Sequence, residues 1–230
     1  MNQHQKYPLG YKAATKVIDL GRAAFFGSED TDLPKGRGPE RERDDRTPSF
    51  GYVGEDYEEA RVLLLGINPG NGPNDVRHAS DEKMMPALIE FAKNPSPNSF
   101  EEAARAYQEA CESWPIWKRH CSEIIGAGCL TLSQIAYANC LPYRTESCSG
   151  FSDDVAERAA NLYAYPLIEE LHPKVVVALG KRSAEILGFC KKLIPNLIVW
   201  NRAQAATAKV LEERSRAAEE LFALLGSSTQ

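Results

Sequence analysis

The chain has 230 residues, a formal net charge of −5, 43% hydrophobic residues and 26% charged residues. That length supports one domain, residues 1 to 230, with a proper core. No apolar run is long enough to span a bilayer. The start, MNQHQKYPLG, lacks the basic stretch and apolar core of a signal peptide. A cytoplasmic location is therefore expected, with no membrane partner. The acidic balance excludes the broad basic footprint of tight non-specific DNA binders.

Residues 11 to 26, YKAATKVIDLGRAAFF, carry apolar positions near helical spacing and predict a helix. Residues 28 to 50 have no apolar period and mix five basic with seven acidic side chains among Pro and Gly, which predicts a mobile charged loop. RVLLLG (61 to 66) is a short, wholly apolar run stopping at Gly, the pattern of a strand buried on both faces. The stretch after it, NGPNDVRHASDEKMMP, reads as polar. Ser99-Phe100-Glu101-Glu102 has capping-box spacing and predicts a helix towards Ser113. SQIAYANC (133 to 140) predicts a second strand, ended by Pro142. Ser152 is placed to cap a helix through DDVAERAANLYAYPLIEEL. KVVVALG (174 to 180) predicts a third strand, followed by a helix over 181 to 189. NLIVW (196 to 200) predicts a fourth strand, followed by a terminal helix over 203 to 225 with Val210, Leu221, Phe222 and Leu225 as core contacts.

Strands alternating with helices imply a three-layer α/β/α fold with a mostly parallel central sheet of about four strands. Ligands of such sheets sit beyond the carboxyl ends of the strands. Gly66 to Asn71, Asn139, Gly180 to Arg182 and Trp200 to Arg202 all fall at such ends. Four polar segments are thus expected to meet on one edge. In the first of them Gly66, Pro69 and Gly70 make a stiff frame around Asn68. An amide can orient a water through its oxygen and nitrogen but is a poor general base. An ordinary strand-to-helix turn, with Asn68 as a cap, would use the same residues.

Six cysteines (Cys111, Cys121, Cys129, Cys140, Cys148 and Cys190) form no CxxC pair, and no two histidines have zinc-ligand spacing. Inert thiols and no bound metal or other cofactor are expected. Residues 181 to 214 hold seven basic against three acidic side chains, a local positive face on an acidic protein. His78 follows the first loop. His120 falls in a predicted helix near Trp114 and Trp117.

GINPG (66 to 70), after its apolar strand, resembles the first motif of the uracil-DNA glycosylase superfamily as the mismatch-specific branch has it. YANCLPYRT (137 to 145) resembles the segment that carries the base-reading Asn, and HPKVVVALGKRSAEILG (172 to 188) is similar to the strand-Gly-helix segment of the iron-sulfur branch. The likeness covers about residues 58 to 202, in the expected order. It implies a fold that extrudes a nucleotide from single- or double-stranded DNA and hydrolyses its N-glycosidic bond, since the anomeric carbon is inaccessible inside the stack. Carried over, Asn68 orients the attacking water, and Asn139 reads the Watson-Crick edge of uracil or a related deaminated base. Gly66, Ile67, Pro69 and Gly70 line the pocket. Asn201 stands where the mismatch-specific branch also has Asn in its last loop. Lys181, Arg182 and Arg202 are the expected DNA contacts.

Three features depart from the superfamily. The last loop reads Trp200-Asn201-Arg202-Ala203 instead of a His-Pro-Ser type sequence. No Phe or Tyr follows the first motif to stack on a base. Tyr143 stands where an iron-sulfur ligand would fall, and no N-terminal cysteine pair is present, so no cluster is expected. A catalytically weak or inactive DNA- or nucleobase-binding protein on the same fold is the alternative.

Overall fold

The computed structural model describes residues 8–21, 49–67, 74–142, 153–194 and 196–226. Most of the expected charged loop, Ser152, Asn68, Pro69 and Gly70 lie outside them. In chain order come α1 (Pro8–Gly21), β1 (Tyr52–Val53), α2 (Tyr57–Ala60), β2 (Val62–Gly66), α3 (Asn74–Lys93) and α4 (Pro97–Cys111). A π-helical turn (Trp117–Cys121) leads into α5 (Ser122–Ala127), followed by a 3-10 turn (Leu132–Gln134) and β3 (Ile135–Asn139). Then α6 (Asp153–Ala159), a second π-helical turn (Ala160–Ala164) and α7 (Tyr165–Leu171) lead to β4 (Val175–Leu179). The order closes with α8 (Lys181–Gly188), β5 (Leu197–Trp200) and α9 (Ala208–Gly226).

The chain is an α/β protein with helices on both sides of one five-stranded sheet in the order β1-β3-β2-β4-β5. β2, β3, β4 and β5 run parallel, and β1 pairs antiparallel with β3. The expectation of about four strands is thus corrected to five in a mixed sheet. The missed strand has two residues, too few to carry any hydrophobic period.

The central strands follow directly from their sequences. Val62, Leu63, Leu64 and Leu65 are fully buried, as are Val175 to Leu179, because helices cover both faces and leave no solvent side for a polar alternate. In α4 the buried residues Phe100, Ala103, Ala104, Tyr107, Ala110 and Cys111 make one helical stripe. Its cap is Ser96, a correction to the expected Ser99. The Ser96 Oγ accepts from the Ser99 N–H at 3.2 Å, and the Ser99 Oγ accepts from the Ser96 N–H at 3.0 Å. Pro97 at the first helical position needs no N–H partner, so the helix starts before the acidic pair.

From Asn74 the polar stretch after the first motif belongs to α3, 20 residues long with Pro86 inside it. Its second half carries a core stripe in Met84, Leu88, Phe91 and Ala92. Pro86, inside the helix but exposed, disguises it in the sequence. α9 starts later than expected, at Ala208. Val210 and Leu221 are buried as expected, whereas Phe222 is 58% exposed. Among the described residues no helix is long and apolar enough to cross a membrane.

Candidate functional site

The strand order places a switch point between β2 and β4. The chain leaves β2 towards β3 on one side, and leaves β4 towards β5 on the other. The carboxyl ends of two strands whose connections diverge frame a crevice, the usual ligand position in open α/β sheets. Gly66 and Ile67 end one side of it, and Gly180 and Lys181 the other.

Gly66 and Asn139 are register partners across β2 and β3. A Cβ at Gly66 would lie 2.4 Å from Asn139 Oδ1 and 3.4 Å from Tyr137 Oη. A side chain here would have to displace the amide of Asn139, which occupies that volume. Asn139 is 2% exposed, and its Oδ1 is buried without a hydrogen-bond partner among the described residues. Such an atom costs stability, about 1–3 kcal/mol. The pairing of these strands continues past their ends. Cys140 N–H donates to the Gly66 carbonyl and Leu141 N–H to the Ile67 carbonyl, each at 2.8 Å. The carbonyls of Gly66 and Ile67 are thereby engaged in extending the sheet.

Gly180 has φ +101, a backbone region that favours glycine, and caps the start of α8. Beside it Arg202, arriving from β5, runs across the end of β4. Its Cδ lies 3.5 Å from where a Cβ on Gly180 would stand. Its Nη1 donates to the Leu179 carbonyl at 3.3 Å. Lys181 is exposed. Arg182 donates to Glu185 at 3.0 Å and lies 3.7 Å from Asp153. Lys192 pairs with Glu169 at 3.0 Å and Arg214 with Glu123 at 3.3 Å. Part of the local positive excess seen in the sequence is therefore matched within the fold.

Asn201 turns to α9. Its Nδ2 donates to Glu213, and its Oδ1 accepts from Ala203 N–H at 2.8 Å. Arg214 locks the same turn by donating from Nε to the Asn201 carbonyl at 2.8 Å and from Nη2 to the Ala203 carbonyl at 3.1 Å. The side chain of Asn201 is thus committed to structural partners. Of the expected site residues, the fold brings Gly66 against Asn139 and Arg202 against Gly180.

Three further residues join this edge that the sequence did not single out for it. Tyr137 shares a sheet face with Asn139, two positions on, and packs against Trp117 with ring centroids 5.3 Å apart. Cys121 and His120 come from the π-helical turn, a feature often found at functional sites. Burial raises the Tyr137 hydroxyl well above its ordinary range, and Arg202 pulls the other way. Burial pushes the Cys121 thiol up to about 12, again opposed by Arg202. Burial, then Arg214, Arg202 and Arg119, push His120 down to about 4. The charge of Arg202 is therefore felt by all three groups.

His120 Nδ1 is buried and has no partner among the described residues. An imidazole that charges near its ordinary 6.5 when unfolded, but only near about 4 when folded, makes the native state less stable as pH falls through that window. The urea midpoint of the wild-type chain is expected to fall between about pH 7 and about pH 4.5, and His120→Gln should flatten that fall. Equal slopes for the two proteins would contradict the placement of His120.

No protein-family model matches the chain, and no curated protein matches it.

Proposed function

We propose that the chain is a monofunctional DNA glycosylase-like hydrolase that cleaves the N-glycosidic bond of uracil or a related deaminated base. The observation that carries this reading is the Gly66–Asn139 pair: a buried amide with a free acceptor, seated against the first residue of GINPG at a strand-end crevice. Burying an unpartnered amide oxygen is costly unless a ligand supplies its hydrogen bond. A pyrimidine base edge, with alternating acceptors and an N–H donor, suits an asparagine amide. The base reaches such a crevice only when it is flipped out of the duplex or taken from a single strand. Asn68 orients the water and takes no proton, so the barrier is lowered mainly by stabilising the cationic sugar and the departing base. A slow enzyme follows, with selective and salt-sensitive DNA binding in keeping with the net charge of −5.

The second reading is a nucleobase- or DNA-binding protein without turnover. It is favoured by the commitment of the Asn201 side chain to Glu213 and Ala203. Asn68→Ala separates the two. On the hydrolase reading it lowers single-turnover base release by about 10²–10³-fold with DNA affinity retained. Equal base release by both proteins would sink the role given to Asn68.

A further inference from the structure

We propose that the outer face of α9 pairs with the same face of a second copy of the chain, the two helices running antiparallel. The proposal concerns assembly and stands apart from the glycosidic-hydrolysis reading.

The face is written in the spacing of α9. Ala208, Leu211, Ser215, Ala218, Phe222 and Leu225 follow one another at steps of 3, 4, 3, 4 and 3. At about 100° per residue these positions make one stripe down the whole helix. The stripe that α9 buries in its own fold is a different one, Val210, Ala217 and Leu221, about a third of a turn away. The apolar arc of the helix is therefore wider than the fold covers. Ala218 and Leu225 touch the core from the side nearer to it. Leu211 is 50% exposed and Phe222 58% exposed, and Ala208 and Ser215 are exposed as well. A single large apolar side chain in water is ordinary. Two on one stripe, in the spacing of a coiled-coil seam, mark a contact surface.

The stripe is complementary to itself, which is why the occupant is a second copy. A two-fold axis requires that each residue meets a partner which meets it in return. With the axis between Ser215 and Ala218, Leu211 meets Phe222 of the second copy, and Phe222 meets Leu211. Ser215 meets Ala218, and Leu225 meets Ala208. The two small residues at the centre let the helices approach closely, and the large ones interlock on either side. A parallel pair would set Ser215 on Ser215 and Phe222 on Phe222, leaving one layer polar and another overfull.

The flank of the stripe sets the strength. Glu212 and Glu219 border it on the solvent side, and antiparallel pairing brings Glu212 towards Glu219 of the second copy. Arg216 pairs with Glu212 on its own helix, whereas Glu219 has no basic partner among the described residues. Like charges facing each other weaken the contact. One helix pair also buries less than the standard interface of about 1,200–2,000 Å². A reversible dimer with Kd of about 10–100 μM follows. Glu213 and Arg214, which hold the last loop through Asn201 and Ala203, lie towards the core, so pairing leaves the crevice as it is.

Sedimentation velocity of the intact protein between about 2 and about 300 μM tests this. The wild-type chain is expected to shift from monomer to dimer across that range. Leu211→Glu and Phe222→Glu replace exposed side chains. Both should stay monomeric throughout, with thermal midpoints within about 3 °C of wild type. Glu219→Lys would face Glu212 of the second copy and should tighten the dimer about threefold or more. A wild-type chain that is monomeric at every concentration overturns the proposal and leaves the stripe to another segment of the chain or to a different protein. A dimer that persists in Phe222→Glu places the contact elsewhere and overturns it too. Weakening of the dimer by Glu219→Lys overturns the antiparallel arrangement.

Discussion

Asn139→Ala is expected to cut base release by about 10²–10³-fold while changing the unfolding free energy by less than about 1 kcal/mol. Most fully buried side chains do the opposite: truncation leaves a cavity and costs about 2–5 kcal/mol. Asn139 differs because its Oδ1 is buried with no partner among the described residues. Removing that oxygen lifts a penalty of about 1–3 kcal/mol, which offsets the small cavity. A residue that supports function at a cost to the fold shows this split. Chemical denaturation and single-turnover kinetics on the same protein read both sides of it. A stability loss above about 2 kcal/mol would mark Asn139 as an ordinary core residue.

Gly66→Ala should remove the same activity without touching the amide, and should destabilise the chain by about 1–3 kcal/mol. The new Cβ would stand 2.4 Å from Asn139 Oδ1, so the Asn139 side chain must be displaced. The pair of substitutions is then strongly non-additive. In Gly66→Ala combined with Asn139→Ala, the methyl group fills space the amide has vacated, and stability should return to within about 1 kcal/mol of wild type. Activity stays lost. Simple addition of the two stability changes would mean that the amide does not lie over Gly66.

How much of this was legible beforehand depends on the length of each signal. The wholly apolar runs at 62–65 and 175–179 mark buried parallel strands because they are short, rich in branched residues and stop at Gly. Those strands alone define the sheet edge that carries the site. β1 and the true cap of α4 were not legible: a two-residue strand has no period, and Ser96 competes with Ser99 through a Pro97 whose meaning depends on where the helix starts. Within the site, the segments alone point to Gly66 and Asn139, and the register that joins them belongs to the fold. The loop after the last strand points to Arg202, and the fold adds that its stem runs across Gly180 to the Leu179 carbonyl. His120 looked like a helix-face residue. Its electrostatic link to Arg202 spans 82 positions of sequence and exists only in the fold. Asn201 shows the converse. Its loop position suggested chemistry, and its amide is spent holding α9.

The most direct test of the hydrolase reading is single-turnover incubation of the intact protein, in excess, with uracil-containing single- and double-stranded oligonucleotides, scored by cleavage of abasic sites in alkali. Slow release of uracil that disappears in Asn139→Ala is the predicted result. Intact oligonucleotides after prolonged incubation, with other deaminated bases tried as well, would contradict it.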